Sequence, residues 1–129
     1  MFGSENVQTV VVSLDYDPGA DKSFVIWRAP RDCEIKEAWA CVVDDVAAST
    51  ANYFSLTLLD GGANASGTAA MTNAIGGTAG WTGGTPKSFT ISEGTLDEND
   101  YLVLKYDETG TATFKQVTVG FEYVLGIGA

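Results

Sequence analysis

Val117-Thr118-Val119-Gly120-Phe121-Glu122-Tyr123-Val124-Leu125 holds one period longer than any other stretch of the chain, and that period is two. Val117, Val119, Phe121, Tyr123 and Leu125 share one parity; Gln116, Thr118, Gly120 and Glu122 share the other. Successive side chains of a strand point to opposite faces, so this reads as a strand with one buried face. Working outward, the same period recurs. Leu102, Leu104 and Tyr106 alternate, as do Phe89 and Ile91, and Phe54, Leu56 and Leu58. Further upstream, Val10, Val12 and Leu14 run into the turn Asp17-Pro18-Gly19, and Phe24-Val25-Ile26-Trp27 stops at Ala29-Pro30. Ile35, Glu37, Trp39, Cys41 and Val43 share a face in the segment between. Strands are expected near 6–14, 22–28, 32–43, 51–59, 87–92, 100–106 and 112–125, about seven to eight in all. No segment carries a helical stripe. The pattern predicts an all-β, single-domain antiparallel β-sandwich, with a jelly roll as the first choice. Its expected core is Trp39, Cys41, Val43, Phe54, Leu56, Leu58, Leu102, Leu104, Val119 and Phe121.

At 129 residues the chain has the size of one domain, and it can bury a core without metal or disulfide staples. The expected organisation is an N-terminal arm over 1–6 and a sandwich over 7–129. Seventeen acidic residues against seven basic ones give a net charge of −10, which argues against nucleic acid as a partner. No apolar run reaches the roughly 18–20 residues of a membrane span. The N-terminus has no basic region followed by an apolar stretch, so no secretory leader is expected and synthesis in the cytoplasm is.

Histidine is absent, which removes Ser-His-Asp and Cys-His catalysis and every His-ligated metal site. Two cysteines are too few for a closed thiolate zinc site. Eight positions apart in one strand, Cys33 and Cys41 would lie about 26 Å apart, far beyond disulfide reach. No metal, no cofactor and no enzymatic activity are expected. Asp15, Asp17, Gly19 and Asp21 open like a calcium loop, but Ala20 and Ile26 stand where an EF-hand needs Gly and an acid, so a plain turn is the better reading. Asp97, Glu98, Asp100, Asp107 and Glu108 could include a glycosidase pair. Solvated turns explain them more simply, with Asp107-Glu108-Thr109-Gly110 as a hairpin connection. The Asn64-Ala65-Ser66 sequon is expected to be incidental.

One segment departs from the strand pattern. Between Asp60 and Lys87 there is no charge, and glycine occupies positions 61, 62, 67, 76, 77, 80, 83 and 84. A loop over 60–86 of this length is unusual in a compact domain. It carries Met71, Ile75 and Trp81, which must pack either on their own sandwich or on another chain. Contact with another chain is the expectation, with Trp81 as anchor. Phe2, Leu125 and Ile127 at the termini are the other expected contact residues.

Ile35-Lys36-Glu37-Ala38-Trp39-Ala40-Cys41-Val42-Val43 is followed by Ala51-Asn52-Tyr53-Phe54-Ser55-Leu56-Thr57-Leu58-Leu59-Asp60-Gly61-Gly62. Then come the Gly/Ala/Thr loop, Leu96-Asp97-Glu98-Asn99-Asp100-Tyr101-Leu102-Val103-Leu104, and Val117 to Tyr123. From about residue 24 this order resembles the small jelly-roll proteins that tailed bacteriophages carry on their heads and fibres. The resemblance implies a non-enzymatic virion structural protein, a decoration or cement protein on the capsid surface. Its partners would be the major capsid protein and itself, as a homotrimer. The alternative is a carbohydrate-binding or receptor-binding sandwich module, for which Trp27, Trp39, Trp81 and the tyrosines could supply a stacking surface.

Overall fold

The computed structural model describes residues 6–126. The long strands are β1 (Gln8–Leu14), β2 (Lys22–Arg28), β3 (Cys33–Val42), β4 (Tyr53–Gly62), β9 (Tyr101–Thr109) and β10 (Val117–Leu125). Between β4 and β9 lie four two-residue strands, β5 (Ala69–Ala70), β6 (Ile75–Gly76), β7 (Lys87–Ser88) and β8 (Thr95–Leu96), and a 3₁₀ turn at Gly77–Ala79. They form two five-stranded antiparallel sheets. The first runs β1-β10-β3-β7, with β8 also on β3; the second runs β2-β9-β4-β5, with β6 also on β4.

This order is a jelly roll. If β5 with β6, and β7 with β8, each count as one interrupted edge strand, the chain has eight strands. The first then pairs with the last, the second with the seventh, the third with the sixth and the fourth with the fifth. An antiparallel ribbon folded over on itself gives this nesting, and of the eight strands so counted successive ones alternate between sheets except the fourth and fifth, which share the second sheet. Almost all tertiary contact is therefore between residues distant in sequence.

The inner faces supply one core. Phe54, Leu56, Leu58, Leu102, Leu104, Val119 and Phe121 are buried as alternation predicts. Trp39, Cys41 and Val43 are not: the first two are only half-buried and Val43 is 54% exposed. A bulge accounts for the difference. Glu37 pairs with Glu122 and Ile35 with Tyr123, so Lys36 is an extra residue on β3. One extra residue inverts the alternation beyond it. Cys33 and Ile35 point inward on one side of the bulge; Ala38, Ala40 and Val42 do so on the other.

Other expected boundaries shift too. The strand foreseen over 87–92 is only the two-residue β7, after which the chain leaves the ladder until β8. Asp107 and Glu108 are not a hairpin connection; β9 continues through them, pairing Asp107 with Ser55 and Glu108 with Phe54. The stretch 112–116 carries no strand, and β10 begins at Val117.

The free edges of the two sheets are sewn together on one side. Thr72 bridges Ile91, the Ser92 N–H donates to the Met71 carbonyl at 2.9 Å, and the Asn73 side chain accepts from the Thr90 N–H at 2.8 Å. Thr72 is the buried polar residue of this seam: its hydroxyl oxygen accepts from the Leu58 N–H at 3.1 Å and its proton goes to the Asn73 carbonyl at 2.8 Å. Thr72→Val keeps the shape but orphans the Leu58 N–H, and should cost about 1–3 kcal/mol in denaturant unfolding; an unchanged midpoint would contradict the role given to this hydroxyl.

Both cysteines are free. Burial, and then the charge of Asp32, push the Cys33 thiol up to about 11. Native protein at about pH 8 should therefore label at Cys41 alone with a thiol reagent, and denatured protein at both. Because the folded-state value lies above the ordinary 9.0, the contribution of Cys33 to stability is complete below 9.0 and is lost as pH rises toward about 11. Rapid native labelling at both sites would contradict the burial of Cys33.

Candidate functional site

The uncharged segment is not a free loop. Its start prolongs β4 to Gly62, its middle supplies the β5 and β6 edge, and Trp81 pairs by backbone with Val46 on the opposite connection. Met71 (2% exposed), Ile75 (8%) and Trp81 (4%) all enter the chain's own core. Of the two alternatives posed by their apolar side chains, packing on the home sandwich is the one seen. The Trp81 ring stacks on Phe54 with centroids 5.4 Å apart and planes 12° apart. Lys87 Nζ lies 5.6 Å from the Trp81 ring centroid. Gly76, at φ 93°, lets the indole approach so closely that a Cβ there would stand 2.7 Å from Nε1. Trp81→Ala removes the largest side chain of this layer and should destabilise the monomer by about 3–5 kcal/mol, read as a shifted denaturation midpoint. A shift below about 1 kcal/mol would mean that the stack contributes little.

Of the terminal residues expected to meet a partner, Phe2 and Ile127 lie outside the described residues, as does the arm up to Glu5. Leu125 is 41% exposed at the end of β10. Since Gln8 pairs with Tyr123, Leu125 lies beside the point where the chain enters β1.

Asp15, Asp17 and Asp21 are engaged as ties between segments of the chain. Asp17 accepts from the Gly19 N–H at 2.8 Å and, through its other oxygen, from the Phe114 N–H at 3.2 Å. Asp15 accepts from the Gln116 amide at 2.8 Å, and Asp21 from the Glu108 N–H at 2.8 Å. These bonds fasten the 15–21 turn to the segment 108–116. The runs Asp97-Glu98-Asp100 and Asp107-Glu108 sit at opposite ends of the nine-residue β9. Their backbones are about 25 Å apart, several times the separation that serves glycoside hydrolysis. Tyr106 donates its hydroxyl to Glu108 at 2.5 Å, and burial followed by this bond holds the phenol well above its usual range. Burial and the charge of Asp60 raise Asp100. Asn64 accepts from the Ser66 N–H at 3.2 Å and from its hydroxyl at 2.6 Å, a local turn across the sequon.

The surface offers two further features. The first is β1, Gln8-Thr9-Val10-Val11-Val12-Ser13-Leu14: seven residues, no charge, and paired on one side only among the described residues. Val11 (58%) and Val7 (47%) are exposed along it. The other long edge, β2, starts with Lys22, ends with Arg28 and carries a bulge between Val25 and Trp27. The second is Trp39, brought to the outer face of the first sheet by the bulge at Lys36. Its benzo ring lies across Gly120, where a Cβ would meet it at 2.1 Å. Trp27 instead closes one end of the core, 5.0 Å from Phe121 and 4.6 Å from Tyr123.

The fold has known counterparts. A chain from the capsid asymmetric unit of cyanophage Pam1 superposes with a TM-score of 0.62 at 18% identity, over 98% of this chain and 90% of that one. A chain from the disulfide-linked pili of Bacillus endospore appendages gives 0.46 at 17% identity, over 96% and 93%. A chain of infectious bursal disease virus, Gx strain, gives 0.38 at 13%, over 98% of this chain but 34% of that one. At such identities the likeness is one of fold. No protein-family model matches the chain, and no curated protein matches it.

Proposed function

We propose that the chain is a non-enzymatic virion structural protein, a decoration or cement protein that binds the outer surface of a phage capsid as a homotrimer. The observation that carries this reading is the match to the cyanophage capsid chain, which is nearly end to end in both molecules. The likeness is thus between whole jelly rolls of similar size, not between this chain and a fragment of a larger shell protein. The two acidic runs weighed as a glycosidase pair stand at opposite ends of β9, which fits an assembly part better than a hydrolase.

The contact surface in this proposal is the edge of the first sheet. An uncharged, regular edge strand offers unpaired backbone donors and acceptors, and natural proteins usually blunt such edges with charge, proline or a bulge. β2 is blunted and β1 is not. Val7, Val11 and Leu125 would supply apolar area beside the backbone groups, in the manner of strand addition to a sheet edge. Met71, Ile75 and Trp81 would serve from beneath, by fixing the uncharged segment whose outer surface a second copy or the shell can meet.

Co-sedimentation of the purified protein with phage heads that lack it tests the reading. Wild-type protein should pellet with heads, and in free solution should sediment as a trimer of the 13.6 kDa chain. Val11→Lys places a charge on the open edge at an exposed position. It should weaken head binding about tenfold or more while moving the unfolding midpoint by no more than about 0.5–1 kcal/mol. Failure of wild-type protein to bind heads would overturn the capsid reading; undiminished binding by Val11→Lys would overturn the β1 contact.

A further inference from the structure

We infer that the open edge of β1 is self-complementary and pairs antiparallel with β1 of a second copy, about a two-fold axis that passes Val11. The inference rests on the β1 contact proposed above and names its occupant. Gln8–Leu14 is seven residues long, and Val11 is its middle. Laid antiparallel on itself about that residue, the strand sets Val11 against Val11, Val10 against Val12, Thr9 against Ser13 and Gln8 against Leu14. Every pair joins residues of one parity, so the half-buried Val10, Val12 and Leu14 stay on the inner side of the joined sheet and Thr9, Val11 and Ser13 on the outer side. Pairs of β-branched residues and pairs of hydroxyls are favourable partners across a ladder. A slip of one residue would turn the inner row outward, and a slip of two would leave the strand ends unpaired, so the centred register alone uses the whole strand.

The outer rows that cross β1 fit the same register. Thr9 stands in a row with Glu122 and Glu37, and Ser13 in a row with Thr118 and Cys41. Centred pairing sets the acidic row of each copy against the neutral row of the other, so no carboxylate meets a carboxylate across the seam. Asp15, the first charge beyond the strand, falls opposite Val7 and already accepts from the Gln116 amide. The middle row is apolar throughout. Val11 pairs with Gly120 and Gly120 with Trp39, and a Cβ at Gly120 would meet the Trp39 ring at 2.1 Å, so the indole lies over Gly120 toward β1. Pairing joins two such rows end to end and covers the open side of Val11, which is 58% exposed in the single chain. One seven-residue edge buries far less than the roughly 1,600 Å² of a standard stable interface, and two copies of charge −10 repel, so the pairing is weak between free copies and is favoured where copies are held close together. A two-fold contact cannot close a three-fold ring, so in the proposed trimer it joins copies of neighbouring trimers.

Cysteine cross-linking tests the register, on free protein at high concentration and on protein bound to heads. Val11→Cys changes an exposed side chain, so the variant should fold as the wild type does. In the centred pairing its two Cα atoms stand about 4.5–5.5 Å apart, within the roughly 7 Å limit of a disulfide. The two copies of Thr9 are out of step by about 14 Å, and so are the two copies of Ser13. Under mild oxidation Val11→Cys should give disulfide-linked pairs of chains about tenfold or more above Thr9→Cys or Ser13→Cys alone, whereas a mixture of Thr9→Cys and Ser13→Cys should link one to the other. Wild-type protein, with Cys33 buried and Cys41 on β3 two strands from the edge, is the blank. Thr9→Cys linking as readily as Val11→Cys overturns the proposal, because the contact then has no register. So does wild-type binding to heads with Val11→Cys linking above the blank in neither setting: the edge then meets the shell, and the capsid reading stands. Linking of Val11→Cys in a protein that ignores heads upholds the pairing and overturns the capsid reading instead.

Discussion

Phe54 is fully buried, and three further aromatic rings pack on it: Trp81, Tyr106 and Phe114, at centroid separations of 5.4, 5.2 and 5.1 Å. These rings come from β4, β9 and two irregular segments, so one side chain ties the β4–β9 ladder to two segments that share no long ladder with it. The segment 77–86 could not lift away without exposing both Trp81 and the face of Phe54 it covers. At about 25 cal/mol per Å², two such aromatic surfaces amount to several kcal/mol, comparable to the whole margin by which a domain of this size stays folded. The ladder hydrogen bonds of the two-residue strands are too few to hold that segment alone. Side-chain packing sets its position, and the short strands follow.

The same reasoning explains why the segment has no charge. It crosses from the edge of one sheet to the edge of the other, with side chains turned alternately into the core and onto a neighbouring backbone. Glycine and alanine allow such close passage; a lysine or glutamate would have to be desolvated or would push the segment outward. Composition therefore marked the segment correctly as special. It could not say whether Trp81 had a partner at home, because the partner, Phe54, lies in a different strand and only the fold brings them together.

Where alternation was unbroken, residues and structure agree: Val10 to Leu14, Phe54 to Leu58, Leu102 to Tyr106 and Val117 to Phe121 all keep the predicted parity. β3 shows the limit. Glu34 to Val43 reads as ten evenly alternating residues, yet Lys36 bulges and every side chain after it faces the other way. The cue was present in weak form. Ile35, Glu37 and Trp39 on one face would bury a carboxylate between two apolar residues, whereas the bulge leaves both Lys36 and Glu37 in water and uses the small Ala38 and Ala40 inside. The desolvation cost of Glu37 decided the register. Gly120 in the facing strand was the second half of the same cue, since a tryptophan turned outward needs a place to lie. Two-residue strands such as β5 to β8 leave no periodicity to read, and their pairing became legible only once the long strands fixed where the edges were.

Charge and edge geometry together constrain how such a protein can associate. A net charge of −10 on a domain of 13.6 kDa makes each copy repel every other, and the repulsion is strongest where acids cluster. Asp97, Glu98 and Asp100 crowd one end of β9, and Asp107, Glu108, Asp17 and Asp21 the other, so the two ends of the sandwich are the faces least suited to contact between copies. The second sheet presents Lys105 and Asp107 outward, already paired with one another at 3.6 Å, and its long edge is guarded by Lys22 and Arg28. What remains without charge is β1 itself and the part of its outer face where Val11 and Ser13 stand opposite Gly120 and Thr118; Thr9 stands opposite Glu122. An acidic chain that associates as proposed above makes its contact where the repulsion is weakest. In this fold that place is the one long strand that carries neither a charge nor a bulge on its open side.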